Sequence, residues 1–349
     1  MNNKAAPLKV AIIGAGQVAQ HHHIPAFQSF DSVEITALCG RDLAKAKNTA
    51  QQFNIQKWYD NVEQLFAENV FDMVSICSPN NLHFAHAMKA LDAGCHVFCE
   101  KPPALSYSDA KKMMEKAADV NRVLAYNFHN RQLPEVQLLK KMIDEGELGN
   151  IYHIRATFIR RRGIPGWGSF TDKETQGGGA LMDIGIHVLD LALYLMNFPP
   201  VTAVLGNTYD YIGKAGGVGL MGQWDPQKFT VEDSCFAHTS LANGSSITLE
   251  TAFALNVKAE KEFNLQIHGS KGGATLLPLT LFTERDNQLV DIDLTQSEAI
   301  NTCQKNIHAF TEACEGKSSL ICSAAEGAAL QKVVEAIYTS ATVNQTIHL

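Results

Sequence analysis

The chain has 349 residues, 46% hydrophobic and 19% charged, with a formal net charge of -7. That length exceeds the roughly 250–300 residues one hydrophobic core usually serves, so two domains are expected, and the apolar share excludes both a disordered chain and a membrane-embedded one. The acidic excess leaves no diffuse basic surface to neutralise phosphates, which argues against nucleic acid or an anionic membrane as a general partner.

The opening MNNKAAPLKVAIIGAGQVAQ places a short apolar run directly ahead of glycines, with no small-residue cleavage site. It reads as a strand, and no apolar run approaches the roughly 20 residues of a membrane helix, so a cytoplasmic protein is expected. The eight cysteines contain no CxxC pair and read as buried free thiols.

Taken in order, strand-like segments fall at Lys9–Ile13, Val33–Cys39, Met73–Cys77, His96–Cys99 and Arg122–Tyr126. Helical patterns lie between them, at Val18–Phe30, Asp42–Phe53, Asn61–Glu68, Leu82–Ala93 and Ser106–Asn121. This alternation predicts an α/β Rossmann domain over residues 1–128, a parallel sheet with right-handed connections. A helix at Leu133–Glu145 and a half-buried strand at Ile151–Arg160 open a second domain, residues 129–349. There a glycine-rich loop, Gln176–Gly179, starts an apolar helix through Met196, and period-two patterning marks Val201–Tyr211, Ser234–Leu255 and Glu262–Phe282. With helices at Ala299–Glu315 and Ala324–Thr342 and a short tail strand, the expected class is α+β with an open, mostly antiparallel sheet. An open apolar sheet face calls for a partner, so a homo-oligomer, dimer or tetramer, is expected.

Gly14-Ala15-Gly16-Gln17-Val18-Ala19 follows the first strand and opens a helix, the arrangement of a dinucleotide fingerprint. Gly14 makes the tight turn, Gly16 leaves room for a pyrophosphate, Ala19 lets helix and strand pack, and the helix amides at Gln17 and Val18 face the phosphates. The second strand ends in Gly40-Arg41-Asp42 where an acidic residue would bind the ribose 2′-hydroxyl. Without that carboxylate, and with Arg41 able to pair a 2′-phosphate, the choice tilts towards NADP, while the adjacent Asp42 leaves NAD open.

Two further motifs carry chemistry. Cys99-Glu100-Lys101-Pro102-Pro103 ends a strand, which aims Lys101 at the crevice where ligands of open α/β sheets sit. Asp183-Ile184-Gly185-Ile186-His187 places an acid and a histidine at i, i+4, on one helical face of an otherwise apolar run; a satisfied structural pair is the competing account. Arg160, Arg161, Arg162 and Trp167 offer hydrogen bonds and an aromatic face to a hydroxylated ligand, against the plainer reading of a solvated strand end. His129, Asn130 and Arg131 line the same cleft or form a polar turn. His21-His22-His23 is not a metal site, because consecutive helical residues point about 100° apart, and no metal is expected.

The segments AIIGAGQVAQ, SICSPNNLH, CEKPPA and GGGALMDIGIH, in this order over nearly the whole chain, resemble the Gfo/Idh/MocA family of sugar and cyclitol oxidoreductases. Arg162–Gly168, Val231-Glu232-Asp233-Ser234 and Ser270-Lys271-Gly272-Gly273-Ala274 resemble, more narrowly, the members that oxidise glucosides at carbon three. The resemblance implies catalytic Lys101, Asp183 and His187, and cofactor contacts from Ser78, Pro79, Asn80, His83, Glu100, Lys101 and Asn127. Substrate contacts would come from Lys101, His129, Arg162, Trp167, Asp183 and His187. Those glucoside-oxidising members carry an aspartate where this chain has Gly40. The expected activity is NAD(P)-dependent oxidation of a sugar or glycoside secondary hydroxyl, with His187 as general base and Lys101 donating to the developing alkoxide; the reverse assignment stays open. A non-catalytic NAD(P) or sugar sensor and a redox-neutral NAD-dependent glycoside hydrolase are the alternatives.

Overall fold

A computed structural model describes residues 6–296, 300–318, 320 and 322–349. The chain divides into two units, the first Met1–His129 with Asn301–Gln331 and the second Asn130–Ile300 with Lys332–Leu349.

In the first unit, β1 (Leu8–Ile13), β2 (Val33–Cys39), β3 (Lys57–Tyr59), β4 (Met73–Ile76), β5 (His96–Cys99) and β6 (Leu124–Tyr126) form, among the described residues, one parallel sheet in the order β3-β2-β1-β4-β5-β6. The central strands are continuous apolar runs because helices cover both faces of such a sheet; Val10, Ala11, Ile12, Val74 and Val97 are all fully buried. The helices are α1 (Ile24–Gln28), α2 (Leu43–Gln52), α3 (Val62–Glu68), α4 (His83–Asp92) and α5 (Tyr107–Asp119). Asp42, Asn61 and Ser106 start α2, α3 and α5 by accepting the amides of Lys45, Gln64 and Asp109. The three-residue edge strand β3 is too short to show a period and is not legible in the sequence.

The second unit contains α6 (Pro134–Asp144), β7 (Ile151–Arg160), α7 (Lys173–Gln176), α8 (Ile186–Leu195), β8 (Val201–Tyr209), α9 (Tyr211–Ala215) and β9 (Ser234–Leu241). There follow β10 (Ser246–Ala252), β11 (Lys261–Gly269), β12 (Gly272–Thr275), β13 (Thr280–Arg285), β14 (Gln288–Asp293) and, at the chain end, β15 (Ile347–His348). Among the described residues its sheet has nine strands in the order β14-β13-β12-β11-β7-β10-β9-β8-β15. The pairing is antiparallel except between β7 and β10. The segment expected at Ser234–Leu255 is a hairpin turning at Asn243-Gly244, with Gly244 at φ 83°, and Glu262–Phe282 resolves into β11, β12 and β13. Ile154, Ala156, Ile247, Leu249, Leu265 and Ile267 point inward onto α8, while His153, Arg155 and His238 lie on the outer face.

One expectation needs correction here. Lys173–Leu195 is long and apolar enough to cross a membrane by composition, with a mean hydropathy of 1.4, contrary to the reading that no run approaches that length. The 18-residue apolar window of that stretch is 89% buried inside the protein, so the stretch, which begins with α7 and ends with α8, packs in the core of the second unit. Arg131 is also corrected: it is no cleft residue but fully buried, forked onto Asp190 (Nε to Oδ2 2.9 Å, Nη2 to Oδ1 2.6 Å) and lying over the rings of Tyr194 and Phe198.

Two helices follow, α10 (Thr302–Cys314) and α11 (Ala324–Val343). The expected start of α10, Ala299, lies outside the described residues; Asn301 caps the helix on the amide of Gln304. The boundary drawn at 128/129 for the rest of the chain does not hold, because α10 belongs to the first unit. Cys303, Ile307 and Phe310 join the core of β1 and β2, and Phe310 lies 5.2 Å from the ring of Phe98. A helix packed on a distant sheet leaves no local sign in the sequence of which sheet it serves.

Candidate active site

The dinucleotide fingerprint sits at the end of β1, where the strand order reverses between β1 and β4. Gly14 has φ 116°, and a Cβ there would lie 2.4 Å from the carbonyl oxygen of Cys77, so the turn closes directly against the end of β4. At Gly16 a Cβ would meet nothing within 4 Å. Its missing side chain therefore serves no internal packing and leaves open the space a pyrophosphate needs, which is how this loop fits a dinucleotide. Gln17 and Val18 are exposed, and Ala19 is fully buried. Gly40 backs onto the same loop: a Cβ would come 3.0 Å from that of Ala15. Arg41 is exposed beside it, and the carboxylate of Asp42 is occupied in capping α2, 3.0 Å from the amide of Lys45.

The helix expected over Val18–Phe30 is not a continuous α-helix. A π-turn over Ala19–His23 precedes α1, and such turns fit an extra residue into one turn, often beside functional groups. His21 and His22 face solvent while His23 is fully buried, so the histidines diverge. The structure gives His23 a place the sequence did not reveal: Nδ1 lies 2.7 Å from Ser75 Oγ and Nε2 lies 2.7 Å from Glu100 Oε1.

Glu100 is the centre of a buried network under Lys101. Its Oε1 also accepts from Asn127 Nδ2 at 2.7 Å, and Asn127 Oδ1 accepts from Asn306 Nδ2 at 3.1 Å. Burial pushes the Glu100 carboxyl up, but the hydrogen bond and charge of His23, the Asn127 amide and the Lys101 ammonium together hold it well below the usual carboxylate range. A fixed negative charge thus sits beside Lys101. His83, expected at the cofactor, is fully buried between two backbone carbonyls, Pro102 O at 2.8 Å from Nδ1 and Ser78 O at 2.9 Å from Nε2. It ties the Ser78-Pro79-Asn80 loop to the Lys101-Pro102 turn. A neutral imidazole can donate to one of these carbonyls and only an imidazolium to both; burial pushes the ring down and the carbonyls pull it back only in part. His129 closes this unit, with Nδ1 2.9 Å from Thr302 Oγ1.

In the second unit the Gly-rich loop is shaped by its neighbours. Gly177, at φ 81°, ends α7, while a Cβ at Gly178 would lie 1.9 Å from Tyr338 Oη and one at Gly179 1.9 Å from Glu232 O. Beyond it comes a second π-turn, Leu181–Gly185, before α8. The shared face inferred from the i, i+4 spacing assumed an α-helix throughout. In the structure Asp183 lies inside the π-turn and His187 in the first turn of α8, so the π-turn also sets their relation. Asp183 is half-buried and His187 is 8% exposed.

Arg160 is a charged neighbour of Asp183. Its guanidinium lies over Phe158 and Phe253; burial pushes its pKa down and the Asp183 carboxylate pulls it back in part. Arg162 donates to the carbonyls of Arg161 and Leu255, both at 2.7 Å, and to Asn256 Oδ1, so it buttresses its own loop. Trp167 is 48% exposed, edge-on to Phe170, and presents an aromatic face. Glu232, given no role from the sequence, is well connected: Oε2 accepts the amide of Gly179 at 2.8 Å, and Oε1 accepts the amide of Leu181 and the hydroxyl of Tyr338, both at 2.9 Å. The Val231-Glu232-Asp233-Ser234 motif had drawn notice for its resemblance, but nothing in it gave Glu232 a role.

Residues 8–128 match the model of an oxidoreductase family with an NAD-binding Rossmann fold, and residues 136–275 match the GFO/IDH/MocA C-terminal domain. The chain belongs to the GFO/IDH/MocA oxidoreductase family. It is 40% identical over 346 residues to D-glucoside 3-dehydrogenase of Escherichia coli (strain K12), covering 99% of this chain and 98% of that one. Levoglucosan dehydrogenase of Pseudarthrobacter phenanthrenivorans is 29% identical over 76% of this chain and 72% of its own. The solved structure of a levoglucosan dehydrogenase in complex with NADH and levoglucosan superposes with a TM-score of 0.85 at 23% identity, covering 98% and 99% of the two chains, and shares the fold.

Proposed function

We propose that this oxidoreductase dehydrogenates a glucoside at the carbon-three hydroxyl, giving a 3-keto sugar. The observation that carries the reading is the 40% identity, over 99% of the chain, with a relative named for that reaction. A bound nicotinamide supplies the acceptor for the carbon-bound hydrogen, which leaves as hydride. The chain's own residues handle the proton and the charge. His187 takes the hydroxyl proton, an assignment supported by the ability of a histidine ring to accept and return a proton in reversible transfer. Lys101 donates a hydrogen bond to the oxygen as negative charge builds on it. Asp183 holds a neighbouring sugar hydroxyl, and the exposed face of Trp167 suits the C–H surface of a pyranose.

For the cofactor, the reading favours NADP over NAD. Gly40 offers no carboxylate to repel a 2′-phosphate, Arg41 is exposed next to it, and Asp42 is engaged in capping α2. The same reading takes the protein to be cytoplasmic and homo-oligomeric, the latter supported by the outer sheet face of the second unit, where Tyr152, Leu205, His238 and Phe282 are exposed. The test is reduced-nicotinamide absorbance with methyl glucosides and free hexoses, run with NAD and NADP in parallel. Glucoside-dependent reduction, faster with NADP and lost in His187→Asn and Lys101→Met, is expected. Cofactor binding without reduction by any sugar, or sugar release without net reduction, overturns the proposal.

A further inference from the structure

We propose that Glu232 is the positioning residue for the segment that carries Asp183 and His187, an inference that rests on the roles given to those two side chains above. A helix start leaves its first amides without intrahelical acceptors, and the π-turn at Leu181–Gly185 has no side-chain cap of its own. Glu232 supplies the missing acceptors from 53 residues away. Its carboxylate takes the amides of Gly179 and Leu181, at 2.8 and 2.9 Å, and its backbone carbonyl takes the amide of Ala180 between them, at 3.2 Å. Three successive amides are held by one residue, and Tyr338 Oη, 2.9 Å from Oε1, braces the carboxylate from α11.

The glycines follow from this clamp. A side chain at 179 would run into the Glu232 carbonyl and one at 178 into the Tyr338 hydroxyl, so the Gly-rich loop is glycine to admit Glu232 and its brace. Thr251 completes the clamp, donating from Oγ1 to the carbonyl of Ala180 at 3.3 Å and packing where a Cβ on Gly185 would fall. Asp183 begins two residues after the last clamped amide and His187 lies one further turn on. A shift of the clamp therefore moves both, and misplacement by about 1 Å is enough to cost on the order of a hundredfold in rate.

The experiment compares Glu232→Gln, Glu232→Asp and Tyr338→Phe with the wild type in glucoside oxidation and in amide hydrogen exchange. Gln cannot accept with its amide nitrogen, so Glu232→Gln loses part of the clamp, whereas Asp keeps both acceptors at shorter reach. Expected is a fall in kcat of at least about tenfold in Glu232→Gln, partial rescue in Glu232→Asp and a smaller loss in Tyr338→Phe. The KM for the nicotinamide cofactor stays unchanged, and exchange accelerates over residues 179–187 alone. Wild-type kcat in Glu232→Gln overturns the proposal. So does a joint fall of kcat, cofactor affinity and Tm in which Asp is no better than Gln. If the wild type oxidises no glucoside, it is the functional reading that fails, and exchange still decides the clamp: acceleration confined to 179–187 upholds it, and unchanged exchange overturns it.

Discussion

Glu100 and Glu232 are both buried glutamates, one in each unit, and they are displaced in opposite directions. Burial pushes both carboxyls up. Glu100 is nonetheless held below the usual range, because two of its partners, His23 and Lys101, carry or can carry positive charge. The donors to Glu232 are neutral, backbone amides and a phenol, and it stays above the usual value. Equally well hydrogen-bonded carboxylates thus diverge because dipoles offset desolvation less than full charges do. The charged network belongs to the first unit, where a fixed anion sits next to Lys101; the neutral one belongs to the second, where it holds backbone.

The largest effect is expected from removing Glu100. Glu100→Ala takes away the carboxylate that His23 Nε2 and Asn127 Nδ2 share, and stability is expected to fall by about 3 kcal/mol in denaturant unfolding. Removing the imidazole comes next: His23→Ala should cost about 2 kcal/mol and lower kcat/KM with the cofactor, since Glu100 then loses a hydrogen bond that holds it next to Lys101. A third test reads the signs. Glu100 is held below the ordinary glutamate value of 4.5, so its ionised form stabilises the fold above that value, and the stability of wild type minus Glu100→Gln should fall as pH drops below 4.5. Glu232 is displaced above 4.5, so the stability of wild type minus Glu232→Gln should fall as pH rises above it. Parallel slopes in the two series of pH-dependent melts would refute the contrast. The smallest effect belongs to Tyr338→Phe, which removes one neutral donor and should cost about 1 kcal/mol in Tm-derived stability.

Much of this was readable from the sequence wherever the physics is local. Alternating strands and helices, the Gly14 to Ala19 turn and the ends of β2 and β5 depend on neighbours a few residues away, and their places were predicted. Asp183 and His187 were visible as polar exceptions in an apolar run. The two π-turns were not, because one extra residue in a turn does not disturb an apolar pattern enough to read. His23 was dismissed with its neighbours as a poor metal ligand; its inward turn depends on Ser75 and Glu100, which no spacing rule connects to it. Glu232 escaped for the same reason, its partners lying 53 residues upstream and on α11.

The return of α10 to the first sheet bears on how the protein is made. A nascent chain that has emerged only as far as residue 300 holds the complete dinucleotide fingerprint and all six parallel strands, yet lacks Cys303, Ile307 and Phe310 from the core. The first unit therefore waits for α10, residues Thr302–Cys314, to seal, and until then it exposes an apolar seat that chaperones or a neighbouring nascent chain can occupy.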